Sequence, residues 1–205
     1  MDAAFYSALI AIFLIAISPG PSVIAIMATG VNDGRKPALA LVGGIITGSS
    51  IWALVSLFGI AGLLQTVGWA LTAIKILGGV YLLYLAYRAF IAARRDGTTP
   101  ILPVSKSNGL KGYYLTGLLI HLTNPKAVFG WASTIAIGLP TNASFYDVLT
   151  LVLCSIAIVW TVKTSMAFIF SAAPARSLYQ RLRRSIQYTF AALFALVGAR
   201  LLFSR

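Results

Sequence analysis

Long runs of apolar residues dominate this sequence and limit what it can fold into. A helix needs about 20 predominantly apolar residues to cross the hydrocarbon core of a membrane. Only 10% of the residues are charged and 59% are hydrophobic, whereas a soluble domain carries about 25% charged residues. The sequence therefore predicts an all-α membrane protein with six transmembrane helices, at roughly 5–28, 38–62, 68–90, 113–138, 147–171 and 187–203. Five helices would result if the last run, which contains Arg200, lay at the membrane surface.

The organisation of the chain follows from these runs. We expect residues 1–205 to form a single transmembrane domain, because no stretch stays polar long enough to build a soluble one. Residues 91–112 contain two prolines and several small polar residues, which indicates a linker between halves at about 5–90 and 113–203. Each half has three helices, an odd number, so the halves would form two inverted three-helix repeats.

Basic residues predict the orientation of the chain. Loops 31–37, 88–112 and 172–186 hold two, five and four lysines or arginines, whereas the opposite loops hold none. Cationic loops stay in the cytoplasm, so both termini are expected on the outer side. The net charge of +12 is thereby explained by membrane orientation, and no nucleic-acid partner is expected.

Two of the apolar runs are interrupted by proline at comparable depth. The first contains Pro19-Gly20-Pro21 and the fourth contains Asn124-Pro125-Lys126. Proline removes a backbone donor and breaks a helix, and the freed carbonyls are tolerated in a membrane only inside protein or beside a wet cavity. A packing kink is the alternative, but the paired positions favour a substrate site formed by Pro19, Gly20, Pro21, Asn124, Pro125 and Lys126.

Lysines and one histidine within the apolar runs are the candidates for chemistry. Lys126 lies near mid-membrane, where a cation is costly and marks a pathway unless it reaches the surface; there it would bind the carboxylate of a zwitterion. Lys75 and Lys163 could each line the pathway; Lys75 is near enough to a helix end to extend to the interface instead, and Lys163 is deeper, but nothing around it indicates a role. His121 is a candidate for proton coupling because histidine ordinarily titrates near neutral pH, although a structural hydrogen bond is the alternative.

Other classes of site are not supported by the sequence. It contains no paired carboxylates, no metal-ligand cluster, no phosphate loop and no nucleophile elbow, and it has one cysteine, Cys154. We therefore expect neither an enzyme nor a metal or cofactor. The glycines within the helices, such as Gly44 and Gly48, are expected to let helix backbones approach each other closely.

Three ordered motifs resemble the lysine exporter (LysE) superfamily, and within it the homoserine/threonine resistance (RhtB) branch. The first is Pro19-Gly20-Pro21-Ser22 followed by Gly30, Gly34, Gly44 and Gly48. The second is Lys75-x-x-Gly78-Gly79-x-Tyr81-Leu82-Leu83-Tyr84-Leu85, and the third is Gly117 followed by Asn124-Pro125-Lys126. The resemblance spans nearly the whole chain.

The resemblance implies efflux of amino acids or related zwitterions across the bacterial inner membrane, driven by the proton gradient. Many members carry an acidic residue after the glycine that matches Gly48, but here Ser49 and Ser50 follow, which argues against a cationic substrate. The alternatives are export of another small metabolite or cation, and a membrane assembly protein that transports nothing. The sequence leaves open whether the chain forms a homo-oligomer.

Overall fold

Helices account for nearly all of the backbone that the structure describes. A computed structural model describes residues 3–66, 70–94, 109–139 and 143–203, and the helices in these ranges are eight in number. They are α1 (Ala3–Ile17), α2 (Pro21–Asn32), α3 (Arg35–Thr66), α4 (Ala70–Arg94), α5 (Gly109–Leu122), α6 (Pro125–Gly138), α7 (Phe145–Phe170) and α8 (Ala173–Phe203). The expected all-α fold is confirmed.

Two of the six predicted segments are each divided into two helices. The first consists of α1 and α2, which meet at an angle of 48°, and the fourth consists of α5 and α6. Within the described ranges, Arg35–Phe58 of α3 and Phe145–Phe170 of α7 are long and apolar enough to cross a membrane, and the bent α1–α2 pair qualifies as a third span if it is counted as one.

Local sequence explains where the helices start. Pro21 and Pro125 each occupy the first turn of a helix, where the missing N–H of proline is not needed. Gly34 joins α2 to α3 with a φ of +91°, a conformation that glycine adopts without steric cost. Ser144 starts α7 with a capping box that it forms with Asp147, so the backbone groups at this helix end are hydrogen-bonded.

The prediction of a loop at 172–186 was wrong. Helix α8 begins at Ala173 and continues for 31 residues, so the basic residues of this stretch lie on a helix. Its single proline, Pro174, falls in the first turn, where a helix tolerates it, and arginine, leucine and glutamine favour helix thereafter. At the ends of the predicted linker, 91–112, α4 continues to Arg94 and α5 starts at Gly109; residues 95–108 lie outside the described ranges.

The helix surfaces have the polarity expected in lipid. Large apolar side chains such as Ile10, Leu119 and Trp160 are more than half exposed on the outside of the bundle, whereas Ser18, Ser49, His121 and Lys163 are buried inside it. In a membrane the hydrocarbon is the outer solvent, and polar groups need partners within the protein. The buried polar groups that could bind a substrate therefore lie in the interior of the bundle.

Candidate functional site

The backbone is left without helical partners at the junction of α1 and α2. Ser18 N donates to Leu14 O, four residues earlier, at 3.0 Å. The next such i to i−4 backbone bond in the described chain runs from Ile24 N to Gly20 O at 2.9 Å. Pro19 has no N–H to offer, and Ser18 Oγ bonds Ile15 O at 3.2 Å in its place. The carbonyls of Ala16 and Ser18 thus become available to side chains.

Two lysines from the second half of the chain bind these carbonyls. Lys126 Nζ donates to Ser18 O at 2.8 Å and also to Ser18 Oγ. Lys163 Nζ donates to Ala16 O at 2.6 Å, and its side chain is only 4% exposed. The C-terminal end of a helix carries partial negative charge, so two ammonium groups are stabilised at the end of α1.

The start of α2 has the opposite polarity and no side-chain cap. Gly20 is the residue before its first turn, with an extended backbone (φ −177°, ψ −179°), and it has no side-chain oxygen to accept from the first N–H groups of the helix. A Cβ on Gly20 would lie 3.3 Å from Lys126 Nζ, so glycine leaves the space in which this ammonium lies. A helix N-terminus attracts anions, and Lys126 adds a full positive charge beside it.

The second break, between α5 and α6, is closed by its own residues. Asn124 Oδ1 accepts from Lys126 N at 3.0 Å and caps α6. Asn124 N in turn donates to His121 O at 3.2 Å. This break therefore holds the backbone of Lys126 in place, while its side chain extends to the first break.

His121 and Ser49 bring further polar groups to the same region. The His121 ring lies with Nδ1 3.4 Å from Ser22 Oγ, while its Nε2 is buried and has no partner among the described residues. Ser49 Oγ accepts from Trp131 Nε1 at 3.2 Å. Neither serine nor histidine is paired with a carboxylate here.

These groups surround one cavity in the interior. The positions open to a water molecule occupy about 30 Å³, which is room for about two waters. Of the four aspartates, the two that the structure describes, Asp33 and Asp147, are exposed, and no acidic residue is among those that line the cavity. Its lining is Ile12, Ile15, Ala16, Ser18, Gly20, Ser22, Val23, Ser49, His121, Asn124, Lys126, Ala127, Trp131, Val159 and Lys163.

The sequence-based candidates separate into three groups. Gly20, Asn124, Lys126 and His121 line the cavity. Pro19, Pro21 and Pro125 lie at the breaks without lining it; they act by removing backbone donors. The side chain of Lys75 lies outside the described residues, so its role stays a prediction.

Sequence reasoning considered Lys163 as a pathway residue but did not assign it to the substrate site. It lies 147 positions from the carbonyl that it binds, and no proline or glycine beside it marks a break. Its depth in an apolar run was the one signal in the sequence, because a cation at that depth requires a partner.

A bundle of apolar helices with a polar, lysine-lined cavity at a helix break defines an α-helical membrane protein of the transporter type. Comparison with known proteins gives the family. The family model described as "LysE type translocator" matches residues 13–205. The chain belongs to the LysE family.

Relatives of this chain include proteins named as efflux proteins. The chain is 31% identical to the threonine efflux protein of Salmonella typhi and 30% identical to that of Escherichia coli K12, in each case over 92% of both chains. It is 29% identical to the leucine efflux protein of Klebsiella pneumoniae over 65% of this chain and 61% of that one. No solved structure matches the sequence.

Proposed function

We propose that this protein is a secondary-active exporter of a small neutral amino acid in the bacterial inner membrane, coupled to the proton gradient. The observation that carries the proposal is the first helix break, where Lys126 and an uncapped helix start lie beside carbonyls of α1 that accept from lysines instead of helix N–H groups. The threonine and leucine efflux proteins among its relatives support an amino acid as the substrate.

A zwitterion matches the two polarities of this break. Its carboxylate would bind Lys126 Nζ and the N–H groups at the start of α2, since both favour an anion. Its ammonium would bind the carbonyls of Ala16 and Ser18, which now accept from lysines. Both groups of the substrate would thus be satisfied by one short stretch of chain, with Gly20 leaving room for close approach.

The helix contacts support an inverted repeat. If α1–α4 correspond in order to α5–α8, the packing of α3 on α5 corresponds to that of α7 on α1. In the same way α2 packs on α7 as α6 packs on α3, and α4 packs on α6 as α8 packs on α2. Two similar halves of opposite orientation would produce such pairs of contacts, in which each helix is replaced by its counterpart from the other half.

The contact between α4 and α8 has the same reciprocity. A Cβ on Gly79 would lie 2.6 Å from Leu202 Cγ, and a Cβ on Gly198 would lie 3.1 Å from Leu82 Cβ and from Leu83 N. The two glycines hold matching places in the segments Gly79-Val80-Tyr81-Leu82-Leu83-Tyr84 and Gly198-Ala199-Arg200-Leu201-Leu202-Phe203. Residues in equivalent positions therefore meet each other, as at a local two-fold axis.

The size of the cavity supports alternating access. Room for about two waters is too little for an amino acid, so binding requires the halves to separate on one side. Lys126 and Lys163 each join the second half to α1. Their release from Ser18 and Ala16 when a substrate takes their place would loosen the contact between the halves.

The alternative functions fit these observations less well. A membrane assembly protein that transports nothing has no need of a cavity at its helix break, yet residues of both breaks line one. A transported cation would meet two lysines and no acidic side chain in that lining. A neutral zwitterion avoids this repulsion.

The function is tested by radiolabelled amino acids in proteoliposomes. We expect an imposed pH gradient to drive transport of at least one small neutral amino acid, with L-threonine and L-leucine as the first probes, and unlabelled substrate to exchange with it. Vesicles without protein are the control. Failure of a complete amino-acid panel to move would contradict the proposal.

The proposed orientation gives a separate prediction. Cysteines replacing exposed Lys36 and exposed Tyr146, each in a Cys154→Ser background, should react with a membrane-impermeant thiol reagent from opposite sides. Because cationic loops stay inside, Tyr146→Cys should label in intact cells and Lys36→Cys only after the membrane is opened. Labelling of both from outside would overturn the arrangement with the loop at 31–37 in the cytoplasm.

A further inference from the structure

Lys163 is a buried cation to which the proposed function assigns no contact with the substrate. Its ammonium donates to Ala16 O at 2.6 Å, and Val159, one turn away on α7, lines the same cavity. The two aspartates that the structure describes are exposed at helix ends, so the partner of this ammonium among the described residues is a carbonyl rather than a carboxylate. A carbonyl can be taken over by a competing donor.

The ammonium of a bound amino acid would be such a donor. It requires the carbonyls at the end of α1, and Lys163 occupies one of them. Two ammonium groups cannot both approach one carbonyl closely without strong repulsion. A displaced lysine ammonium in an apolar interior has little to solvate its charge, and groups in that position become neutral instead of remaining charged.

We propose that Lys163 is the proton carrier of this exporter, and that it competes with the substrate ammonium for the carbonyl of Ala16. This inference rests on the proposed function. When the site faces the cytoplasm, the amino acid binds, and the –NH3⁺ group of Lys163 gives one proton to cytoplasmic water and becomes –NH2. When the site faces outward and the amino acid leaves, –NH2 takes one proton from the outer side and returns to Ala16.

This exchange gives antiport in the required direction. The substrate moves outward while Lys163 is neutral, and the empty site returns while Lys163 is protonated. Each cycle therefore moves one amino acid out and one proton in, and the substrate and the proton never occupy the shared carbonyl together. Because the substrate and the protonated lysine exclude each other from one carbonyl, binding of the substrate opposes protonation of Lys163, and protonation opposes binding.

Other titratable groups near Lys163 are few. Among the residues that line the cavity they are Lys126 from α6 and His121 from α5, while α1, α2 and α3 contribute only uncharged residues there. In the proposed function Lys126 meets the substrate carboxylate, whose negative charge favours the protonated form of this lysine while the substrate is bound. His121, the candidate from the sequence, is the rival carrier, and the experiment distinguishes the two.

The test measures protons released when purified protein in weakly buffered detergent binds L-threonine or L-leucine. For the wild type we expect about one proton per amino acid bound and an affinity that rises about tenfold per pH unit while Lys163 is protonated. Lys163→Gln, which keeps an N–H donor but does not titrate, should bind and exchange substrate, release no proton, and lose gradient-driven transport at least tenfold. Whatever its affinity for the substrate, His121→Ala should still release about one proton per amino acid bound.

Arginine at this position separates coupling from a merely structural contact. Lys163→Arg keeps a donor that does not lose its proton, so it should hold Ala16 and bind substrate at least tenfold more weakly than Lys163→Gln. A lysine that only caps α1 predicts the reverse order. Wild-type binding without proton release, or release that persists in Lys163→Gln or disappears in His121→Ala, would overturn the proposal. If the wild type neither binds nor transports any amino acid of the panel, the proposed function itself fails, and this inference with it.

Discussion

Replacing Lys126 with alanine is expected to reduce amino-acid exchange in proteoliposomes roughly 30- to 150-fold. Its ammonium is the one side-chain cation proposed to meet the substrate carboxylate, and it lies beside the uncapped start of α2. A hydrogen bond to a charged group contributes about 2–3 kcal/mol in such a setting, and each 1.4 kcal/mol is tenfold in affinity. Because exchange does not need the proton gradient, the loss reports binding and not coupling.

Arginine should restore little of this activity. The ammonium of Lys126 fits between Gly20 and Ser18, with its Nζ 2.8 Å from Ser18 O, and a planar guanidinium is larger and presents its donors in a fixed fork. Lys126→Arg is therefore expected to stay within about threefold of Lys126→Ala. The matched control is Lys111→Ala, which removes an exposed lysine at the start of α5 and should leave exchange unchanged.

Two results would remove Lys126 from the site. One is wild-type exchange by Lys126→Ala at equal amounts of inserted protein. The other is an equal loss in Lys111→Ala, which would point to an effect of net charge on insertion. Size-exclusion profiles of all three variants show whether each is folded before its activity is compared.

The helix breaks could be predicted from the sequence because their cause is local. Proline lacks an N–H wherever it occurs, so Pro19, Pro21 and Pro125 mark the ends of helices without knowledge of the fold. The depth of Lys126 in an apolar run was equally visible. The sequence predicted that Lys126 shares a site with the first break, but not that it binds Ser18, because that contact depends on how the halves pack.

Two features were not predicted from the sequence. One, the contact of Lys163 with Ala16, depends on tertiary packing; the other, the helix at 172–186, was obscured because its charges were taken as the sign of a loop. Lys163 meets Ala16 across 147 positions, and nothing near either residue predicts that contact. The stretch 172–186 was assigned to a loop because of its arginines, but charge on a helix that leaves the membrane is no obstacle to helix formation, and α8 includes it. Charge predicted the side of the membrane; it did not predict the end of the helix.

Ser49 shows how a departure from the family pattern gains meaning from the structure. From the sequence it was only the absence of an acid after Gly48. In the structure its side chain lines the cavity and accepts from Trp131 Nε1 at 3.2 Å. A carboxylate at this position would lie in the same cavity as Lys126 and Lys163, so the serine leaves both lysines free to act on the substrate and the proton.

The second large effect is expected where α3 and α5 approach each other through glycine. A Cβ on Gly44 would lie 1.9 Å from Tyr114 O, and a Cβ on Gly117 would lie 2.0 Å from Leu41 O. Real Cβ atoms do not come so close to backbone, so either substitution to alanine must push the two helices apart. This interface joins the two halves of the chain, and α5 carries His121 into the cavity.

Gly44→Ala and Gly117→Ala are each expected to lower the Tm in detergent by about 6–12 °C. Overpacking against backbone, which cannot rotate away, costs about 3 kcal/mol, and for a chain of this size 1 kcal/mol corresponds to about 2–4 °C. Gly43→Ala is the matched control, because a Cβ there meets only the Tyr114 ring at an ordinary 3.5 Å; its Tm should stay within about 2 °C of the wild type. Equal Tm values for Gly44→Ala and Gly43→Ala would mean that α3 and α5 are not in backbone contact. Because α5 carries His121, which lines the cavity, its displacement also disturbs the site, so the two destabilising variants should lose amino-acid exchange even at temperatures where they remain folded, while Gly43→Ala keeps it.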